Sequence, residues 1–418
     1  MTNDFYKKYN INEKTISFVN EVEKTLSTYF DNIENIEEEN QLKVLNAFHK
    51  NKLSESHFFE STGYGYTDDG RDVIERIYAD IFGAEDAIVR QQIVSGTHAI
   101  STVLFGLTKY GDKILSINGM PYDTILSVIG LNNEMGSLKY HGIEFDKVDL
   151  INDRFDFDGI KNKIDEKTKL IIIQRSRGYD KRKSFSIKEI SEVIKFIKSI
   201  NKNVIIFVDN CYGEFVDNVE PTNVGADIIA GSLIKNIGGG LAKAGGYIVG
   251  KKDLIELCSY RLTTPSLGKE VGINFNQNRL VLQGLYFAPM VVKNAMKGIK
   301  LFAKAYNELG YKTYPNSDED FNDIVLAIEH KTKQNLINFC KNIQSVSTVD
   351  SHVTPEFSDM PGYDDKVIMA AGNFIQGSSI ELSADGPLRE PYISYLQGGL
   401  SYYQIKLAVM KCINDILV

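Results

Sequence analysis

Apolar runs of strand length alternate with stretches of helical spacing through the middle of the chain. The runs are Ala87 to Val94, Lys113 to Ile117, Ile143 to Val148, Lys169 to Gln174, Val204 to Val208, Ala226 to Ala230 and Gly245 to Val249. Between them the pattern predicts helices opening near Thr97 and near Thr124, and one from Ile187 to Ser199. Strand-length apolar runs alternating with helices predict a parallel or mostly parallel sheet covered by helices. Ahead of this series, Ile16, Val19, Val22 and Leu26 recur at helical spacing in a polar region, which reads as a helical arm over residues 1–50. Behind it, a helical stretch from Val281 to Leu309 leads into short strands at Ile324 to Ile328, Ile368 to Ala371 and Ser379 to Leu382, with a helix from Gln334 to Ile343. The expectation is an α/β protein with that arm, a large sheet domain over 51–290 and a smaller α+β domain over 291–418.

Composition removes several classes of function. At 418 residues the chain can bury a sizeable core and hold two domains. A formal charge of -8 with interspersed signs leaves no basic stripe, so neither nucleic acid nor an anionic membrane surface is an expected partner. Cys211, Cys258, Cys340 and Cys412 are far apart and form no metal-binding or disulfide spacing, which suits a reducing cytoplasm. No apolar stretch has the length of a membrane span, and the first residues lack an apolar signal core.

Candidate chemistry collects where apolar runs end. Val204 to Val208 is followed by Asp209, and Ala226 to Ala230 stops just before Ser232-Leu-Ile-Lys235, Asn236 and the glycines Gly238 to Gly240. Ligands of open α/β sheets gather at the carboxyl ends of strands. A carboxylate at one such end and a lysine past another are what a protein supplies to pyridoxal phosphate, a covalent amine and a partner for the ring nitrogen. The alternative is a solvated loop lysine; a nucleotide-type phosphate loop fits poorly, because the glycines follow the lysine and no G-x-x-x-x-G-K-[ST] is present. In Val94-Ser95-Gly96-Thr97-His98, a strand delivers a tight turn into a helix, an arrangement that directs backbone amides at a phosphate or else caps an ordinary helix.

Six ordered motifs then give a specific resemblance. They are Ser95-Gly-Thr-His-Ala99, Pro121-Tyr-Asp123, Gln174-Arg-Ser-Arg-Gly-Tyr179, Val208-Asp-Asn-Cys-Tyr-Gly-Glu-Phe215, Gly231-Ser-Leu-Ile-Lys-Asn236 and Glu381-Leu-Ser-Ala-Asp-Gly-Pro387. Together they resemble the methionine gamma-lyase-related family, often labelled aluminium-resistance proteins and similar to cystathionine lyases of the fold-type-I pyridoxal phosphate class. The resemblance implies a fold-type-I architecture with a large, mostly parallel seven-stranded sheet. It implies that Lys235 carries the cofactor and moves the substrate's alpha proton, that Asp209 faces the ring nitrogen, and that Tyr122 stacks on the ring and protonates a leaving group. Ser95, Gly96, Thr97 and Ser232 would hold the phosphate.

Two departures from the wider class bear on the site. That class carries a Tyr-x-Arg segment that enters the neighbouring subunit's phosphate site, whereas here Tyr64 is followed by Tyr66 and the first arginine is Arg71. Tyr64, Tyr66 and Arg71 are therefore the candidates there, with a surface ion pair to Asp68 or Glu75 as the other reading of Arg71. The class also places an arginine before Leu-Ser near the carboxyl end to grip the substrate carboxylate, and this chain has Glu381. Arg389, Arg175 and Arg177 are the substitutes considered, because a planar guanidinium suits a carboxylate. The implied protein is a homodimer or homotetramer with shared active sites, acting as a carbon-sulfur lyase on an amino acid. A transaminase or racemase would use the same cofactor residues, and a non-catalytic binding protein could retain the fold.

Overall fold

Seven of the strands join into one sheet in the order β1-β7-β6-β5-β4-β2-β3. They are β1 (Asp86–Arg90), β2 (Lys113–Ser116), β3 (Glu144–Lys147), β4 (Thr168–Gln174), β5 (Ile205–Asp209), β6 (Ile228–Ser232) and β7 (Gly246–Gly250). A computed structural model describes residues 2–64, 68–178, 180–359 and 365–417 of the chain, so Tyr66 and Tyr179 lie outside the described residues. β5, β6 and β7 are buried along their whole length, as central strands covered on both faces must be. β2 to β6 pair in parallel and β7 runs against both β6 and β1. The carboxyl ends of β1, β2, β4, β5 and β6 therefore share one edge.

Helices cover both faces and the ends. The amino-terminal region forms α1 (Thr2–Lys8), α2 (Glu13–Lys24) and α3 (Ser27–Lys50), followed by α4 (Asp69–Ile81). The crossovers supply α5 (Gly96–Leu107), α6 (Asp123–Ile129), α7 (Phe157–Lys163), α8 (Ile187–Ile200) and α9 (Lys252–Leu262). The long α10 (Asn278–Glu308) then packs on α3 and leads to the second sheet. That sheet is antiparallel, order β10-β11-β12-β13-β9-β8, built from β8 (Lys312–Tyr314), β9 (Val325–Glu329), β10 (Phe357–Ser358), β11 (Val367–Ala370), β12 (Ser383–Pro387) and β13 (Ile393–Gln397). α11 (Lys333–Ser345) and α12 (Tyr402–Leu417) cover it, and α2 is fastened to α12 by Lys406 and Glu23 at 2.6 Å. Among the described residues, no helix is long and apolar enough to cross a membrane.

Three sequence expectations shift. The first strand stops at Arg90, because the chain turns away and leaves Val94 73% exposed ahead of α5. β6 runs on to Ser232, so this hydroxyl is a strand residue and not the start of a loop. Ser379 to Leu382 is not a strand: the Glu381 carboxylate accepts N–H bonds from Phe374 and Ile375 at 2.9 Å each and folds the segment back into a loop ahead of β12.

Candidate active site

Strand register brings the candidate groups to one edge. Gln174, the last residue of β4, lies beside Asp209, the last of β5, which lies beside Ala230 in β6. Two residues further on, Ser232 lies beside Gly246, which lies beside Arg90 at the end of β1. Gly96 completes the set, since a Cβ placed there would lie 3.4 Å from the Ser232 Cβ and 3.5 Å from the Cys211 sulfur. The turn before α5, the end of β6 and the turn after β5 thus converge.

The turn carrying Lys235 has no freedom to accept side chains. A Cβ on Gly238 would come within 1.7 Å of the Leu233 carbonyl oxygen, and one on Gly239, at φ +53°, within 2.1 Å of the Gly284 carbonyl of α10. The glycines that look permissive in sequence are therefore required by close backbone approach. Lys235 is half-buried, and its Nζ lies 4.0 Å from the centre of the Tyr212 ring. Among the described residues no ion pair reaches Lys235 or Asp209. Burial pulls the Lys235 ammonium toward its neutral form, and the acidic groups around it (Cys211, Tyr212, Tyr122 and Asp209) more than reverse this and hold it well above the usual lysine range.

Asp209 is 4% exposed, with one carboxylate oxygen accepting the Cys211 N–H at 3.1 Å. Burial pushes its carboxyl above the ordinary range, while Lys235 and the Cys211 N–H oppose the rise. Behind it, Glu214 is fully enclosed, accepts the Tyr247 hydroxyl at 2.6 Å and is pushed up to about 8 by burial. The Asn236 side chain donates to the Glu214 carbonyl at 3.0 Å, which ties the lysine turn to the turn after β5.

On the opposite side of the edge, Ser95 caps α5 by accepting the His98 N–H at 3.1 Å. This leaves the first amides of a twelve-residue helix facing the site, as an anion requires. The Thr97 hydroxyl bonds the Tyr122 hydroxyl at 3.2 Å and Thr124 at 3.0 Å. Gln174 accepts the Tyr122 backbone N–H at 3.1 Å and so fixes where that ring stands. Burial pushes the Tyr122 phenol well up, helped by Asp209 and Cys211, so it stays protonated at neutral pH.

The candidate arginines fare differently. Arg175 is not at the site: it is 1% exposed, donates to Asn210 at 2.9 Å and to the Gly213 carbonyl at 2.8 Å, and lies 3.6 Å from Glu220, so it braces the turn after β5 from below. Arg389 follows the far end of β12 from Glu381, is exposed and pairs with Asp365 at 3.4 Å. Arg177 is enclosed by the small sheet, donating to the Tyr314 carbonyl at 2.5 Å, while its Nε and Nη2 have no hydrogen-bond partner among the described residues. Arg71 folds under its own chain at 5% exposure, with Nε 3.3 Å from Asp72, and it pairs with neither Asp68 nor Glu75 through its guanidinium. Tyr64 bridges Val271 through its backbone and leaves its side chain 88% exposed. Sequence reasoning passed over Tyr212 and Gln174, although both stand in motifs beside Asp209 and the end of β4.

The architecture is that of the fold-type-I pyridoxal phosphate lyases. Yeast cystathionine gamma-lyase shares it at TM-score 0.59 and 17% identity over 88% of this chain and 98% of its own, a likeness of fold alone. Within that class, the chain belongs to the methionine gamma-lyase family, whose sequence profile matches residues 15–417. A Clostridium novyi protein, described as a carbon-sulfur lyase involved in aluminium resistance, is 47% identical over 99% of each chain at TM-score 0.95. A Listeria monocytogenes protein, proposed as a cystathionine beta-lyase involved in aluminium resistance, is 50% identical over 96% of this chain and 99% of its own, at TM-score 0.94. Protein YnbB of Bacillus subtilis is 50% identical over 95% of each chain.

Proposed function

We propose that the protein is a pyridoxal phosphate-dependent carbon-sulfur lyase that removes a thiol from a sulfur-containing amino acid by beta or gamma elimination, with a keto acid and ammonia as the other products. The observation that carries this reading is the pair left without ion partners, among the described residues, at neighbouring strand ends, Lys235 and Asp209. A lysine kept for structure would be expected to find a carboxylate, and a buried carboxylate a cation. Family membership and the descriptions of the Clostridium and Listeria relatives support the same class.

The residues present fit the cofactor. Lys235 would hold it covalently, Asp209 would face its ring nitrogen, Tyr122 would cover the ring, and the α5 amino end with Ser95, Gly96, Thr97 and Ser232 would hold its phosphate. When bound, the cofactor supplies a sink for the electrons left on a substrate carbon. With a substrate in place, Lys235 Nζ would be the base that takes the alpha proton. Tyr122 Oη, protonated at neutral pH and steadied by Thr97, gives a proton to the departing sulfur. Tyr64, bridged to Val271 through its backbone and with its side chain exposed, is assigned to a neighbouring subunit's site in a homo-oligomer.

Incubation of the purified, cofactor-loaded protein with cystathionine, methionine and alanine, with thiol, keto acid and ammonia measured together, tests the reading. Thiol release from a sulfur amino acid, with equal keto acid and ammonia, is expected. Keto acid without thiol or ammonia, formed only when a second keto acid is added to take up the amino group, would make it a transaminase instead, and loss of chirality at alanine alone a racemase.

A further inference from the structure

We propose that Tyr212 is a positioning residue for Lys235: its ring holds the Nζ end of the lysine, and its hydroxyl, through Ser379, ties that position to the small domain. This deepens the reading of Lys235 as the cofactor-bearing lysine and rests on it. A lysine that must change covalent partner and carry a proton is poorly served by a carboxylate, which would bind it and compete for that proton. An aromatic face attracts the ammonium and accepts nothing in return. Tyr212 offers such a face 4.0 Å from Nζ. The groups facing Nζ are Asp209, Cys211, Tyr212 and Glu214 from the end of β5 and the turn after it, and Tyr122 from ahead of α6.

The ring is set from two directions. Tyr212 has φ +70°, a left-handed conformation that side-chain-bearing residues adopt only when their surroundings impose it. Its hydroxyl lies 3.2 Å from the Ser379 Oγ, a group 8% exposed on the loop ahead of β12. On the same loop, Ser378 Oγ donates to the carbonyl of Ile234, the residue before the lysine, at 2.9 Å. The loop therefore touches the lysine turn at Ile234 and the lysine's aromatic partner at Tyr212. It is itself held by the Glu381 carboxylate on the amides of Phe374 and Ile375 and by Asn373, which donates to the Ser378 carbonyl at 2.8 Å. Glu381, standing where the wider class has an arginine, thus buttresses the loop that steadies Tyr212.

The test is a pH titration of the visible absorption of the cofactor-loaded wild type, Tyr212→Phe, Tyr212→Leu, Tyr212→Trp and Ser379→Ala, with borohydride labelling of each. Loss of the ring in Tyr212→Leu should lower the titration midpoint by about one unit, because the protonated nitrogen loses its aromatic face. Tyr212→Phe should keep the midpoint, and Tyr212→Trp, the best cation-binding ring, should keep or raise it. Tyr212→Phe and Ser379→Ala should each lower kcat about threefold or more, and the double variant should be no worse than either, since both break one link. An unmoved midpoint in a folded Tyr212→Leu, a lowered one in Tyr212→Trp, or multiplicative losses in the double variant would overturn the proposal. Labelling at Lys235 in all variants with an unmoved midpoint overturns this proposal alone, whereas a colourless wild type overturns the cofactor reading beneath it.

Discussion

The two edges of the large sheet treat charge in opposite ways. At the amino edge, Asp227 ahead of β6 lies 2.7 Å from Lys198 and 2.6 Å from Lys251 and accepts the Ile206 N–H at 2.7 Å. Burial alone would raise its carboxyl, but these two lysines hold it below the ordinary range. At the carboxyl edge, no lysine among the described residues is bonded to Asp209 and burial pushes it up, while Lys235 faces a ring. One sheet thus builds a neutralised, structural carboxylate at one end and keeps a carboxylate and a lysine unspent at the other. Groups left in that condition inside a protein mark a place prepared for a charged ligand.

The contrast predicts that substitutions at the carboxyl edge cost rate and those at the amino edge cost stability. Lys235→Ala should lower elimination by about 10³-fold or more while the fold survives, measured as thiol release beside a circular dichroism melt. Retention of most of the rate would break the contrast at its strongest point. Asp209→Asn should cost about 10²-fold in kcat, with the visible colour retained on loading. An unchanged kcat would mean that the carboxylate serves structure, like Asp227.

Glu214 sharpens the comparison through pH. Its folded value of about 8 lies above the ordinary 4.5, so the folded state binds the proton more tightly than the unfolded one. Its contribution to stability is full below pH 4.5 and is lost as pH rises through about 8. Urea unfolding of Glu214→Gln across that window should show a flatter alkaline decline than wild type; equal slopes would refute the assignment. Asp227→Asn should lower unfolding free energy by about 1–2 kcal/mol, discounted because Lys251 is 53% exposed, and leave kcat within about twofold. The wild-type contribution of Asp227 is present above pH 3.8 and is lost as pH falls below it, the reverse of Glu214. Arg389→Ala should change stability by less than about 0.5 kcal/mol and leave KM alone, as an exposed residue paired at 3.4 Å.

Strand ends were the legible part of this chain. A run such as Val204 to Val208 reveals where a buried strand stops, and register then puts Asp209 beside Gln174 without further information. Side-chain direction is another matter. Arg175 and Arg177 follow a strand end that serves the site, yet Arg175 turns into the segment after β5, toward Glu220, and Arg177 toward Tyr314, because partners remote in sequence wait there. Spacing could not rank Gly239 either, since the backbone it must accommodate belongs to α10. Tyr212 was hidden for a related reason: the left-handed turn that aims its ring at Lys235 leaves no mark in an apolar pattern. Glu381 was visible only as a missing arginine, and its two backbone bonds give it a place of its own.

The most direct test of the account is borohydride treatment of the cofactor-loaded protein followed by peptide mapping, with spectra before and after. The account predicts a visible band that borohydride removes and a single modified residue, Lys235. Modification of another lysine, or a protein that stays colourless in excess cofactor, would contradict it.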